Sequence, residues 1–205
     1  MLLALLRRDT DNQMLFHLSV DMQRLFGPGS PWAVPWTERI LGGVARLAAH
    51  HPERTIFTRF IPPQSPADAV GAWREYYSKW REVTGEMLGA HWLGLFPELE
   101  KFVPPARVVD KVVYSPWSDG KLAKMLQGSG ATRLLISGGE SDVCVMATVL
   151  GAIDHGYHVV LATDALCSTM DETHDAAMKI YRLRFSAQVT LTTVDEALEK
   201  GLSEL

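Results

Sequence analysis

Only two cysteines, Cys144 and Cys167, occur in 205 residues. That is too few for a disulfide framework, so each thiol reads as a small core residue or a reactive group in a reducing, intracellular setting. Basic residues never run beyond Arg7-Arg8, and 20 Lys and Arg against 24 Asp and Glu leave a net charge of −4. Phosphate binding needs a concentrated positive face, so a nucleic-acid partner is not expected. No apolar run approaches the roughly 18 residues of a membrane-spanning helix. Met1 to Leu6 is apolar and precedes Arg7-Arg8, the reverse of the order in a secretory signal; it reads as a short helical lead-in or a start-site artefact, and a cytoplasmic location is expected. Repeats and low-complexity segments are also missing. What remains is ordinary globular composition, 47% hydrophobic and 21% charged, and a single domain over residues 1–205 is expected.

Short β-branched runs alternate with longer amphipathic ones. Strands are predicted at Met14 to Val20, Arg54 to Arg59, Arg107 to Tyr114, Arg133 to Ser137, His158 to Thr163 and Gln188 to Leu191. Helices are predicted at Pro35 to His50, around Trp73 to Trp80, and at Asp119 to Gln127, Val143 to His155, Asp171 to Leu183 and Val194 to Leu202. Six strands alternating with helices imply a three-layer, doubly wound α/β domain with a six-stranded parallel sheet. Ligands of such sheets sit beyond the carboxyl ends of the strands, where the strand order switches. Asp21, Arg59, Tyr114, Gly138-Gly139 and Asp164 lie at those ends.

Two common chemistries lack their motifs. Gly128-Ser-Gly130 precedes a strand, whereas a phosphate-cradling loop follows one, and Gly138-Gly139 lacks the remainder of either nucleotide-binding pattern. No serine is framed as Gly-x-Ser-x-Gly. The first turn of the helix after the fourth strand instead carries Cys144, behind Ser141 and Asp142 as candidate N-caps. A free thiol is only about 3% ionised at pH 7, and a helix N-terminus favours the anion. A nucleophile fits this position, and so does one more apolar residue of a helix buried on nearly every face. Cys167 precedes a helix with a Thr169-to-Glu172 capping box and reads as packing, while His174 reads as a surface residue. Lys111 and Asp21, each charged within or just after a hydrophobic strand, are expected to neutralise one another.

Three stretches together resemble the isochorismatase-like cysteine hydrolases: Val20-Asp-Met-Gln23, Val109-Asp-Lys-Val-Val-Tyr-Ser115, and Gly138-Gly-Glu-Ser-Asp-Val-Cys-Val145 continuing to Tyr157 and Asp164-Ala165. The resemblance implies a six-stranded parallel sheet, an Asp–Lys–Cys triad at Asp21, Lys111 and Cys144, and a non-proline cis peptide at Gly139-Glu140. Asp21 would take the thiol proton, Lys111 would hold both anions, and the thiolate would attack a carbonyl carbon. Backbone N–H groups of Cys144 and Glu140 would bind the oxyanion.

Departures from the family set the subtype. Nicotinamidases of this family carry a metal site with an Asp-x-His pattern after the second strand, where this chain has Thr58-Arg-Phe-Ile-Pro-Pro63. No metal and no cofactor are therefore expected. True isochorismatases lack the nucleophilic cysteine. The branch implied is the metal-free amidohydrolases, similar to the N-carbamoylsarcosine amidohydrolases, cleaving a C–N bond in a small amide, carbamoyl or ureido substrate through a thioester. The alternatives are an isochorismatase-type hydrolase of another small substrate and a non-catalytic binding or scaffold protein. Gln23, Phe26, Arg59, Tyr114 and Trp117 are the candidate substrate contacts, with Arg59 either clamping a substrate carboxylate or pairing within the protein. The aromatic segment from Trp73 to Trp80 reads as core, or as a lid or subunit contact. A homodimer or homotetramer is expected, as is common in the family.

Overall fold

The computed structural model describes residues 14–199. The lead-in predicted for residues 1–13 and the end of the last predicted helix lie outside the described residues. Strands β1 (Met14–Val20), β2 (Thr55–Phe60), β3 (Arg107–Lys111), β4 (Ala131–Gly139), β5 (His158–Cys167) and β6 (Val189–Thr192) form one sheet in the order β3-β2-β1-β4-β5-β6. Every pairing is parallel, which confirms the doubly wound α/β architecture.

Helices cover both faces, as a parallel sheet requires. Phe16, Leu18 and Val20 of β1 pack with α4 (Lys121–Leu126), α5 (Cys144–Asp154) and α6 (Asp171–Arg184). Leu15 points to the opposite face, where Ile40, Val44, Leu47 and Ala48 of α1 (Thr37–His50) make an apolar stripe beside α7 (Val194–Glu199). Two shorter helices, α2 (Trp73–Lys79) and α3 (Pro97–Glu100), lie in the long β2-to-β3 connection. Tyr77 of α2 is fully buried, and Trp73, Tyr76 and Trp80 pack around it with Phe60.

The chain reverses its winding between β1 and β4, whose ends run so close that a side chain at Gly138 is impossible. A Cβ there would lie 2.1 Å from the Val20 carbonyl oxygen, and its φ of +108° belongs to glycine. This contact brings the residues after β1 and β4 together.

Three boundaries differ from expectation in ways that matter. β3 stops at Lys111 rather than Tyr114, because the Lys111 carbonyl accepts from Ile61 N–H and the chain then bends out, leaving Val112 exposed. β5 runs on to Cys167 after a register shift against β4, so Gly139 pairs with Cys167. Asp164, which resembles a strand terminator, instead caps α7 by accepting from Val194 N–H at 2.8 Å.

β1 also carries a buried histidine. His17 Nε2 lies 2.8 Å from Ser137 Oγ, and Nδ1 lies 3.4 Å from Thr55 Oγ1. Burial holds its imidazole at about 3, down from 6.5. Below pH 6.5 the unfolded chain binds a proton here that the native imidazole refuses until about pH 3, so acidification through that window favours unfolding. Urea denaturation of wild type and His17→Gln between pH 7 and 4 should show the wild-type stability falling more steeply, by up to about 1.4 kcal/mol per pH unit. Parallel slopes would show that His17 takes no part.

Candidate active site

Asp21 follows β1 with a φ of 51°, the left-handed conformation that non-glycine residues seldom adopt. Thr58 of β2 fixes it there. The Thr58 hydroxyl accepts from Asp21 N–H at 3.1 Å and donates to Asp21 Oδ1 at 2.6 Å. Lys111 reaches across β2 from the sheet edge and places Nζ 2.7 Å from Asp21 Oδ2. The ammonium also donates to the Val113 carbonyl at 3.2 Å and to Cys144 Sγ at 3.4 Å, and lies 5.0 Å from the centre of the Phe60 ring. Burial works to lower the Lys111 pKa, but the Asp21 carboxylate and then Cys144 outweigh it, so the group is raised and stays an ammonium. Asp21 Oδ2 faces this ammonium, and the carboxylate also acts directly on the Cys144 thiol.

Cys144 opens α5 and is 8% exposed. Its thiol is pushed well up, first by burial and then by the Asp21 charge, against the opposing pull of Lys111. The expectation of a thiol acidified by the helix N-terminus is therefore corrected. A dipole equivalent to about half a charge at a helix end does not match the desolvation of a fully buried thiolate.

Ser141 and Asp142 are not N-caps either; Val143 is the cap residue, without a side-chain bond. Both side chains tie the segment before Cys144 to the structure behind it. Ser141 Oγ lies 2.8 Å from His174 Nδ1, Ser141 N–H donates to the Cys167 carbonyl at 2.8 Å, and the Tyr181 hydroxyl donates to the Ser141 carbonyl at 3.0 Å. Ser168 Oγ donates to Asp142 Oδ1 at 2.6 Å. His174 is thus a buried support of this segment rather than a surface residue. The expected capping box at the start of α6 is replaced by a longer-range contact: Thr169 N–H donates to Glu140 Oε1 at 2.9 Å and its hydroxyl donates to the same oxygen. The Gly139-Glu140 peptide is cis, as the resemblance implies. Cys167 is 1% exposed, packs against the α1 face beside Thr37, and has its thiol pushed up to about 12 by burial, in keeping with a packing role.

A cavity of about 340 Å³ opens over Cys144. Phe26 and Tyr114 line it as expected, and Glu140 forms part of its wall. Three proposed contacts are corrected. Gln23 is fully buried and satisfies the chain around it, accepting from Phe60 N–H at 2.6 Å and donating to the Phe60 and Leu93 carbonyls at 3.1 Å. Arg59 grips Asp110 with Nε and Nη2 at 2.7 and 2.8 Å, the pairing within the protein. Trp117 donates to the Thr148 carbonyl at 2.9 Å and packs so tightly on α5 that a Cβ at Gly151 would lie 2.2 Å from its ring. The residues missed are Trp32 and Phe60, and the cavity is also lined by Tyr76 and Trp80 of the aromatic segment read as core or lid. Phe60 was one residue from Arg59, and in a strand that step reverses the face. Trp32, an aromatic in a Pro- and Gly-rich loop, carried the legible signal of a binding residue.

A metal of the kind implied for nicotinamidases does not fit these residues. β2 runs into Ile61-Pro62-Pro63, and among the described residues no three His, Cys, Asp or Glu side chains converge.

Among solved structures, the chain is similar to a cysteine hydrolase from Pseudomonas syringae pv. phaseolicola 1448A, at 19% identity over 93% of both chains with a TM-score of 0.78. It is also similar to an isochorismatase family protein from Desulfovibrio vulgaris, at 21% identity over 94% of this chain and 100% of that one, TM-score 0.78. An N-carbamoylsarcosine amidase from Thermoplasma acidophilum matches at 16% identity over 89% and 98%, TM-score 0.73. Identities this low show a shared fold. No curated protein sequence matches. The isochorismatase domain, however, matches residues 16–194, from the third residue of β1 to the first of α7 and across all three residues joined at the Lys111 ammonium, and the chain belongs to that family.

Proposed function

We propose that the protein is a cysteine-dependent amidohydrolase that cleaves a C–N bond in a small amide, carbamoyl or ureido substrate. The observation that carries this reading is the convergence of Cys144 Sγ and Asp21 Oδ2 on one buried ammonium, at 3.4 and 2.7 Å from Lys111 Nζ, with Cys144 lining the cavity. A thiol alone in a core needs no such company. The solved N-carbamoylsarcosine amidase of the same fold points to the same bond type.

Because the resting thiol is protonated, a base is required, and the Asp21 carboxylate, which shares the Lys111 ammonium with the thiol, supplies it. Sulfur bonds to the substrate carbonyl carbon as the thiol proton passes to Asp21, and the carbonyl oxygen gains the negative charge. Backbone N–H groups of Glu140 and Cys144 stabilise that oxyanion, each donor being worth about 3 kcal/mol. The C–N bond then breaks while the leaving nitrogen takes the proton from Asp21, releasing ammonia or an amine and leaving a thioester. Water attacks the thioester, giving a proton to Asp21 that returns to sulfur as the C–S bond breaks. Lys111 stays an ammonium throughout and offsets whichever of sulfur or carboxylate is anionic.

Cys144→Ala should retain the fold by circular dichroism and lose turnover of any substrate by about 10⁴-fold or more; surviving activity would refute the nucleophile. Asp21→Asn tests the base with a sign that a structural role does not produce. Turnover falls, yet iodoacetamide labels Cys144 faster at pH 7, because the charge that holds the thiol up has gone while Lys111 remains. Cys167 is the internal control, and unchanged or slower labelling of Cys144 would count against the assignment. Chelator treatment should leave activity intact; loss restored by a divalent metal would overturn the metal-free reading.

A further inference from the structure

The walls of the cavity bear on which substrate it takes. Six of its lining residues are aromatic, Phe26, Trp32, Phe60, Tyr76, Trp80 and Tyr114. Among the described residues none of the lining is Lys, Arg or His. Lys111, which reaches Cys144 from outside the lining, is committed to Asp21, Cys144 and the Val113 carbonyl. Arg59, on the adjacent strand, is held by Asp110. The remaining charge on the wall is Glu140, whose Oε1 is anchored by the two Thr169 donors.

A substrate carboxylate placed here would lose its hydration, find no Lys, Arg or His among the lining residues and face a carboxylate. An organic cation would meet aromatic rings and a counter-charge, the combination that recognises ammonium groups elsewhere. Two of these rings already meet a cation of the chain, Trp80 with Lys79 Nζ 5.5 Å from its centre and Phe60 with Lys111 Nζ at 5.0 Å.

Building on the amidohydrolase reading, we propose that the substrate is an amide bearing a compact organic cation, a quaternary ammonium or protonated amine, recognised by the aromatic wall and Glu140. The choice of charge is the new element; the reaction is the one described above.

The test separates binding from chemistry. Full-length Cys144→Ser is titrated by tryptophan fluorescence, since Trp32 and Trp80 line the cavity, with three probes. These are 2-(trimethylammonio)acetamide, its neutral isostere 3,3-dimethylbutanamide, and the anion succinamate. The cation should bind about tenfold more tightly than the isostere, and succinamate most weakly, as expected for a desolvated cation–π contact. In the Cys144→Ser/Glu140→Gln double variant the ratio of cation to isostere should narrow. An isostere bound as tightly as the cation, succinamate bound most tightly, or no binding of any probe overturns the proposal. Ammonia release by the wild-type protein is measured on the same three amides. Cation binding without release would sink the amidohydrolase reading and leave the charge preference standing, whereas faster release from the isostere or succinamate would sink the charge preference alone.

Discussion

The ammonium of Lys111 and the carboxylate of Asp21 stand 2.7 Å apart with each side chain 1% exposed, in a place where neither charge is tolerable alone. Removing one partner of such a pair typically costs about 3–5 kcal/mol, because the other is left charged and buried. The pair also spans the sheet. Lys111 ends the edge strand and Asp21 follows the strand beyond its neighbour, so β2 must pass between them with residues that suit both. It does so with Thr58, which fixes the carboxylate, and with Phe60, whose ring lies beneath the ammonium and whose backbone pairs with Lys111. Substituting a bulky residue for Thr58 would disturb the pair before it touched the cavity.

Cys144 enters this arrangement as the third group on the ammonium, and its resting state follows from burial. Helix position and lysine favour the thiolate; desolvation and Asp21 favour the thiol, and they prevail. An enzyme built this way keeps its sulfur protected until a substrate carbonyl is present to take up the charge. The cost is the need for a base, which in the proposed mechanism is the Asp21 carboxylate.

Much of this was legible in the residues. The parallel sheet and the pairing of Asp21 with Lys111 follow from short local patterns, and the cis Gly139-Glu140 link follows from the family resemblance that those patterns carry. Side-chain direction was less legible. Arg59 and Phe60 are neighbours on β2 that face opposite ways, and composition alone does not tell which is turned to the site. Long-range polar partners were the least legible. Ser141, Asp142 and Thr169 each look like local helix signals, yet their side-chain partners lie 26 to 33 residues away, so cap statistics assigned them to the wrong contacts.

Those misassigned contacts form the support of the nucleophile segment. The extension of β5 to Cys167, with Ser168, Thr169 and α6 behind it, holds residues 140–142 by their main chain and their side chains together. Glu140 sits at the junction. Its carbonyl accepts from Val143 and Val145 at the start of α5, its carboxylate is held at the cavity wall by Thr169, and in the proposed mechanism its N–H faces the oxyanion. One residue therefore links the helix that carries the sulfur, the wall that would meet the substrate's charge and the donor that would meet its carbonyl oxygen. A substrate seated against that wall has its carbonyl placed by the same short length of backbone that places the nucleophile, so recognition and chemistry share a single rigid reference. A displacement of the β5 extension would disturb both at once.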